Sequence, residues 1–283
     1  MADKKSNSKL KSSRLDFASI AGLVVALGGI IGGLVMEGGK VSDITQVTAA
    51  IIVLAGTLGA VMVTSPMSAL IDAAKNFKHV FIEEKIEPAA AIEEIITYAT
   101  KARKSSIVSL EEDLEMAGDS FLRKALSLAV DGTDLRQLRE MMEMEIVQKE
   151  HHKETAAKVF ESAGGYAPTI GIIGAVLGLI QVMKHLENID EVGRGIAVAF
   201  VATVYGVAAS NLFFLPSANK LKARAKQDSI SRELLLEGVC SIVEGMNPKL
   251  IRVKLEAFVA HPAKESKNTG AVPAQSQPAS ARG

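Results

Sequence analysis

Tryptophan is absent from this chain, tyrosine occurs three times and cysteine once. The lone thiol, Cys240, excludes an internal disulfide framework and any metal site built from clustered cysteines. Aromatic residues make up only 4% of a chain that is 48% apolar, and a soluble core of this size ordinarily draws on more large aromatic surface. A charge excess of either sign is also lacking. The 32 basic side chains balance 32 acidic ones, so net charge gives no argument for binding nucleic acid. Prolines number 8 against 23 glycines, too few for a loop-rich chain. Gly and Ala inside apolar helices give those glycines a use, because membrane helices approach closely across small residues. There is no Gly-Lys-Ser/Thr phosphate loop, no His-Glu-x-x-His and no Gly-x-Ser-x-Gly elbow, so no enzyme activity is expected and no cofactor. The adjacent His151 and His152 point about 100° apart on a helix and chelate poorly. Met141, Met142 and Met144 read as core or partner contacts.

What is present is a segregation of charge. Residues 17–36, 44–71, 162–183 and 195–219 contain no Asp, Glu, Lys, Arg or His. A helix of about 20 residues rises roughly 30 Å, the thickness of a hydrocarbon core, and each stretch is that long. The fold class expected is all-α, a polytopic membrane protein with four transmembrane helices and a helical cytoplasmic domain. Lys and Arg cluster before the first stretch, from Lys4 to Arg14, after the second, before the third, and after the fourth from Lys220 to Lys226. Basic residues mark the cytoplasmic side, so both termini and the long middle segment are expected there. The organisation read from this is a leader (1–16), a hairpin of spans 1 and 2 (17–71), a cytoplasmic helical domain (72–161), a hairpin of spans 3 and 4 (162–219), cytoplasmic C-terminal helices (220–260) and a Pro/Ser/Ala-rich tail (261–283) with the composition of disorder. Within the middle segment, Pro88 marks a helix start and Asp134 an N-cap. Leu135, Leu138 and Met142 form an apolar stripe. Gly28 with Gly32 and Gly29 with Gly33 read as a packing surface.

Two prolines interrupt the last two spans at similar depth. Pro168 lies just inside the cytoplasmic end of the third, and Pro216 lies just before the fourth returns there. Each removes a backbone donor, frees a carbonyl and can kink its helix. Together they suggest a hinge or a polar notch on an ion path. Thr203 offers one hydroxyl nearer mid-bilayer, with bonding to its own preceding turn as the alternative use. Ala175 stands seven residues beyond Pro168 on the same face. Proton and sodium paths ordinarily use an intramembrane carboxylate or histidine, and these spans hold neither. A partner must therefore bring the titratable group.

The runs GYAPTIGIIGAVLGLIQV and GIAVAFVATVYGVAASNLFFLPSANKL, with KARKSSIVSLEEDLE between the hairpins, resemble the MotA/PomA family, the larger stator subunit of the bacterial flagellar motor. The likeness spans about residues 15–260. It implies an inner-membrane subunit that, with a single-span, peptidoglycan-anchored MotB-like partner carrying an ionisable Asp, couples ion flow to torque on the rotor. It implies a homopentameric ring around two partner chains. Pro168 and Pro216 match the family's coupling prolines. Arg103 and Glu111 match its charged contacts to the rotor protein FliG, with Lys104, Glu112, Asp113 and Glu115 as helpers. Sodium-driven members resemble this chain but carry Thr at both ion-path positions, where this chain has Ala175 and Thr203. A methyl removes one oxygen ligand, so the proton is expected as coupling ion and sodium is disfavoured. The nearest rival is an ExbB/TolQ-like energiser of an envelope system, whose three spans and outward N-terminus fit this sequence less well. A passive channel or scaffold is a rival of another class.

Overall fold

The structure, a computed structural model, describes residues 11–260, so the expected tail at 261–283 and the first ten residues of the leader lie outside the described residues. The described residues are helical almost throughout. Strand β1 (Lys11–Leu15) leads into helices α1 (Phe17–Met36), α2 (Val47–Thr64) and α3 (Met67–Asn76). Strand β2 (Ile82–Ile86), α4 (Pro88–Ser105), a 3-10 helix (Ile107–Met116) and α5 (Ser120–Val130) follow. The long helix α6 (Leu135–Lys184) and α7 (Ile189–Ala208) come next, joined through a π-helical turn (Ala209–Phe214) to α8 (Leu215–Val243), and α9 (Pro248–Ala260) closes the fold. Four of these helical segments are long and apolar enough to cross a membrane.

The expected helix starts are built as the chemistry requires. Pro88 occupies the first turn of α4, where its missing N–H has no helical partner to lose. Asp134 caps α6 by accepting from the Arg136 N–H at 2.9 Å, after a turn that Gly132 permits with φ +76°. The sequence after Asp134 then runs as one helix of 50 residues through Pro168.

Three features differ from the sequence reading. The leader holds a strand that the sequence reading did not include: β1 pairs antiparallel with β2, Lys11 opposite Ile86 and Leu15 opposite Ile82. The uncharged stretch ending at Ile71 is not one helix, because α2 ends at Thr64 and Pro66 starts α3. The residue before a proline avoids the helical region, and Ser65 is extended at φ −121°, ψ 138°. Finally, spans 1 and 2 do not pack as a hairpin. None of the α1 side chains is buried, and the glycines at 28, 29, 32 and 33 meet nothing within 4 Å. Helix α2 packs instead on α6 and α7. Its buried face, Ala49, Val53, Thr57 and Val61, recurs every fourth residue.

The close approach expected of glycines occurs between α6 and α7. A Cβ on Gly178 would lie 2.7 Å from the Gly195 carbonyl oxygen, and one on Gly206 would lie 2.5 Å from that of Ala167. A second core sits outside the spans. It joins α4, the 3-10 helix, α5, the start of α6, the end of α8 and α9 around Ile95, Leu110, Phe121, Leu122, Leu126, Leu138, Met142, Leu235 and Ile251. The predicted stripe at Leu138 and Met142 belongs to this core, whereas Met141 and Met144 are exposed. Cys240 is fully buried there, and that burial raises its thiol pKa to about 11.

Candidate functional site

Two regions gather the residues singled out by sequence. The first is the crossing of α6 with α7 and the π turn. Pro168 lies inside α6 without ending it. Because Pro168 has no N–H, the carbonyl four residues earlier, Gly164, loses its helical donor. The Ser210 hydroxyl replaces it, donating to the Gly164 oxygen at 2.6 Å, and Ser210 is 2% exposed. Ser210 lies near the start of the π turn Ala209–Phe214, whose wider winding is closed by the Leu215 N–H bonding the Ser210 carbonyl. One extra residue in the turn gives the Pro216 ring room next to the preceding carbonyl. Pro216 itself is exposed and lines a cavity of about 300 Å³ that separates α8 from Gly22 and Leu23 of α1. The two prolines thus sit in unlike surroundings. Pro168 is half-buried with its freed carbonyl satisfied, and Pro216 faces open space.

Thr203 is half-buried and donates to the Ala199 carbonyl at 3.2 Å, the local bond weighed from sequence. Its backbone lies across from Gly171, one helical turn before Ala175 on α6. Tyr205, two residues on, ties α7 to the start of α2. Its hydroxyl donates to the Ile44 carbonyl at 2.6 Å and accepts the Gln46 N–H at 3.3 Å. Neither Tyr205 nor Ser210 stood out in the sequence as a site residue. A hydroxyl in an apolar run is their only signal, and its partner, 46 residues away for Ser210, is set by how the helices cross.

The second region is the end of α4 and the helix that follows. Arg103 and Lys104 occupy the last turn of α4, where positive charge complements the helix dipole. Glu111 and Glu112 project from the 3-10 helix, which the buried Leu110 anchors in the core. The reversal between them is made by Ser106 at φ +78°, ψ 156°, a region that a side chain rarely adopts. Its carbonyl accepts both the Ser109 hydroxyl at 2.7 Å and the Ser109 N–H at 3.2 Å. Arg103, Lys104, Glu111 and Glu112 are all exposed. Two expected helpers also pair within the chain. Asp113 pairs with Lys101 at 2.7 Å and Glu115 with Arg123 at 3.5 Å. Among the described residues Glu112 has only the distant end of Lys101, at 3.9 Å.

A charge cluster links α8 and β2 to the start of the first span. The Asp16 carboxylate caps α1 through the Ser19 N–H at 3.1 Å and binds Lys220 at 2.5 Å and Arg224 at 2.6 Å. The hydrogen-bonded Lys220 ammonium, with the Ser19 N–H and Arg224, holds the Asp16 carboxyl far below the usual carboxylate range. Arg224 also donates to the Ile82 carbonyl of β2 at 2.5 Å. Farther along α8, burial alone would raise Asp228, but Lys153 at 2.8 Å and Arg232 at 2.9 Å hold it low. Among the described residues no group of three or more His, Cys, Asp or Glu is placed to hold a metal ion.

Comparison with known proteins places this arrangement. Residues 114–234 match the MotA/TolQ/ExbB proton channel family, and residues 20–106 match the motility protein A N-terminal family. The chain is 37% identical over 255 residues to motility protein A of Bacillus subtilis, covering 89% of this chain and 93% of that one. It is 31% identical over 245 residues to the chemotaxis protein PomA of Vibrio alginolyticus, covering 87% and 96%. Among solved structures, the MotAB complex of C. jejuni superposes with a TM-score of 0.83 at 30% identity, over 88% of this chain and 98% of that one. The flagellar MotAB stator complex from Bacillus subtilis does so with a TM-score of 0.80 at 35% identity, over 86% and 96%.

Proposed function

We propose, on the premise that this chain belongs to the motility protein A family, how its geometry serves the flagellar motor. The chain is a stator subunit, a multi-pass membrane protein that acts with a MotB-type subunit in an oligomeric complex. Our reading adds the inner membrane with both termini in the cytoplasm, a ring of five copies, and FliG as the rotor partner. The distribution of Lys and Arg about the four spans supports the orientation. No carboxylate or histidine lies within residues 162–183 or 195–219. The partner's single span therefore supplies the titrating group, and α6 and α7 supply the wall that responds to its charge.

The coupling ion in this reading is the proton, and one observation carries it: the wall has a methyl, Ala175, where a second hydroxyl would face an ion, and its remaining hydroxyl, Thr203, already donates to Ala199. Sodium needs several oxygen ligands in place of its hydration shell, whereas a proton needs only a relay. Protonation of the partner's carboxylate removes its charge and changes its hydrogen bonding, which alters the preferred packing of α6 against α7 around Pro168 and Pro216. The exposed charges at Arg103, Lys104, Glu111 and Glu112 then press on complementary charges of the rotor. Many weak, screened pairs of this kind make and break readily, which suits stepping. The test is rotation speed of motors driven by this complex alone when sodium is replaced by potassium at fixed pH. Unchanged speed supports proton coupling, and a large loss overturns it.

A further inference from the structure

Ser210 makes the bond that joins the two prolines. Pro168 leaves the Gly164 carbonyl without its helical donor, and that carbonyl is inside the helix crossing, where a Cβ on Gly164 would collide with Leu215 at 2.5 Å. An unpaired carbonyl there is costly, since no water competes for it in an apolar surrounding. The Ser210 hydroxyl meets it at 2.6 Å. Ser210 in turn is held by the π turn, because the Leu215 N–H bonds the Ser210 carbonyl one residue farther back than an α-helix would allow. If that turn tightened to α-helical winding, the residues on one side of it would rotate by about 100° relative to the other. The hydroxyl and the carbonyl could not then keep their alignment.

We propose that Ser210 is a positioning residue for the stator's conformational step. Its hydroxyl stands in for the N–H that Pro168 lacks, so that bending at Pro168 and rewinding ahead of Pro216 occur together. The role rests on the stator reading for its consequence in the motor, but the bond itself can be tested without it. Pro168→Ala restores an N–H to the Gly164 carbonyl and makes the hydroxyl redundant. The experiment is a double-mutant cycle on the purified complex with its MotB-type partner, read as thermal unfolding. Ser210→Ala is expected to lower Tm when Pro168 is present and to leave Tm nearly unchanged when Pro168→Ala is also present. Equal losses in both backgrounds would overturn the proposal. A Ser210→Ala chain that accumulates only alongside Pro168→Ala would support it in extreme form. Should Ser210→Ala fail to accumulate in either background, Ser210→Cys, a weak donor of nearly the same size, takes its place in the same cycle with the same two outcomes.

A second readout concerns the motor. With equal numbers of complexes per motor, counted from stepwise recovery of speed, Ser210→Ala is expected to slow rotation at low load several-fold, and Ser210→Thr to restore most of it. Superimposable torque–speed curves at equal numbers would refute the positioning role even if the cycle showed the bond. An absence of any motor driven by the parent chain, with the cycle intact, would count against the stator reading and leave the bond standing.

Discussion

Ser106 holds φ +78° between the basic end of α4 and the acidic 3-10 helix, where a Cβ crowds the backbone. Such a conformation costs about 1–3 kcal/mol, while a glycine in its place loses roughly 0.5–1 kcal/mol more chain entropy on folding. Ser106→Gly is therefore predicted to stabilise the fold by about 1 kcal/mol, seen as a rise in the Tm of the purified complex; a fall would show that the Ser106 side chain makes up for its backbone. Asp16 gives a prediction with a pH sign. Its carboxyl is depressed by Lys220, Ser19 and Arg224, so its contribution is fully present above the usual carboxylate pKa and is lost as pH falls through the depressed value. Asp16→Asn should lower Tm at neutral pH, with a gap to the parent that narrows below about pH 4. A gap independent of pH down to strong acid would contradict the ion pairs. Asp16 was legible only as one charge at the edge of an apolar run; its partners on α8 lie more than 200 positions away.

Helix α6 combines a half that packs in the helical domain with a spanning half in 50 residues. The run from Leu135 to Phe160 without Gly or Pro already implied that continuity. The packing of α6 on α7 was not legible in the same way, because GxxxG-like spacing occurs in α1 as well, where a Cβ added to the glycines would meet nothing within 4 Å among the described residues. At Gly178 the neighbours of an added methyl are backbone atoms of Gly195 and Ala199, 2.7 and 2.8 Å away, and backbone cannot yield as a flexible side chain can. Overpacking of this kind costs about 1–3 kcal/mol. Gly178→Ala is predicted to reduce the amount of complex in the membrane and to abolish motility; normal motility at normal levels would show that the two helices separate there without cost. The elements proposed to face the rotor carry a different expectation. Single exposed charge pairs are worth about 0.2–1 kcal/mol, so Arg103→Glu alone is predicted to slow swimming partially. Combined with Glu111→Lys it should stop swimming, with membrane levels unchanged and partial recovery on reversing the opposing rotor charges. Full motility of the combined variant would remove these residues from the interface.

As a whole, the molecule is two cores on one long helix: a spanning layer of α2, α6 and α7, and a packed helical domain that α6 and α8 share. Helices α6 and α8 pass from one core to the other, so in the proposed motor they are the route by which load on the exposed charges would reach the spans. The all-α class, the four spanning helices and the charged face at residues 103–112 were readable from the sequence, because each follows from local facts: the length of an uncharged run, the period of an apolar stripe and the charge on a helix end. The absence of an acid in the spans likewise followed from composition alone, and the proposal that the partner brings one rests on it. What the sequence left open required distant segments to meet. The β1–β2 pairing, the separation of α1 from α2, the Asp16 cluster and the Ser210 bond to Gly164 each join residues whose proximity depends on how the helices cross. A local pattern specifies which face of a helix is apolar, but many helix arrangements bury the same face. Only the tertiary structure selects among them, through the fit of backbone against glycine and the demand that a buried carbonyl freed by proline, such as that of Gly164, find a donor.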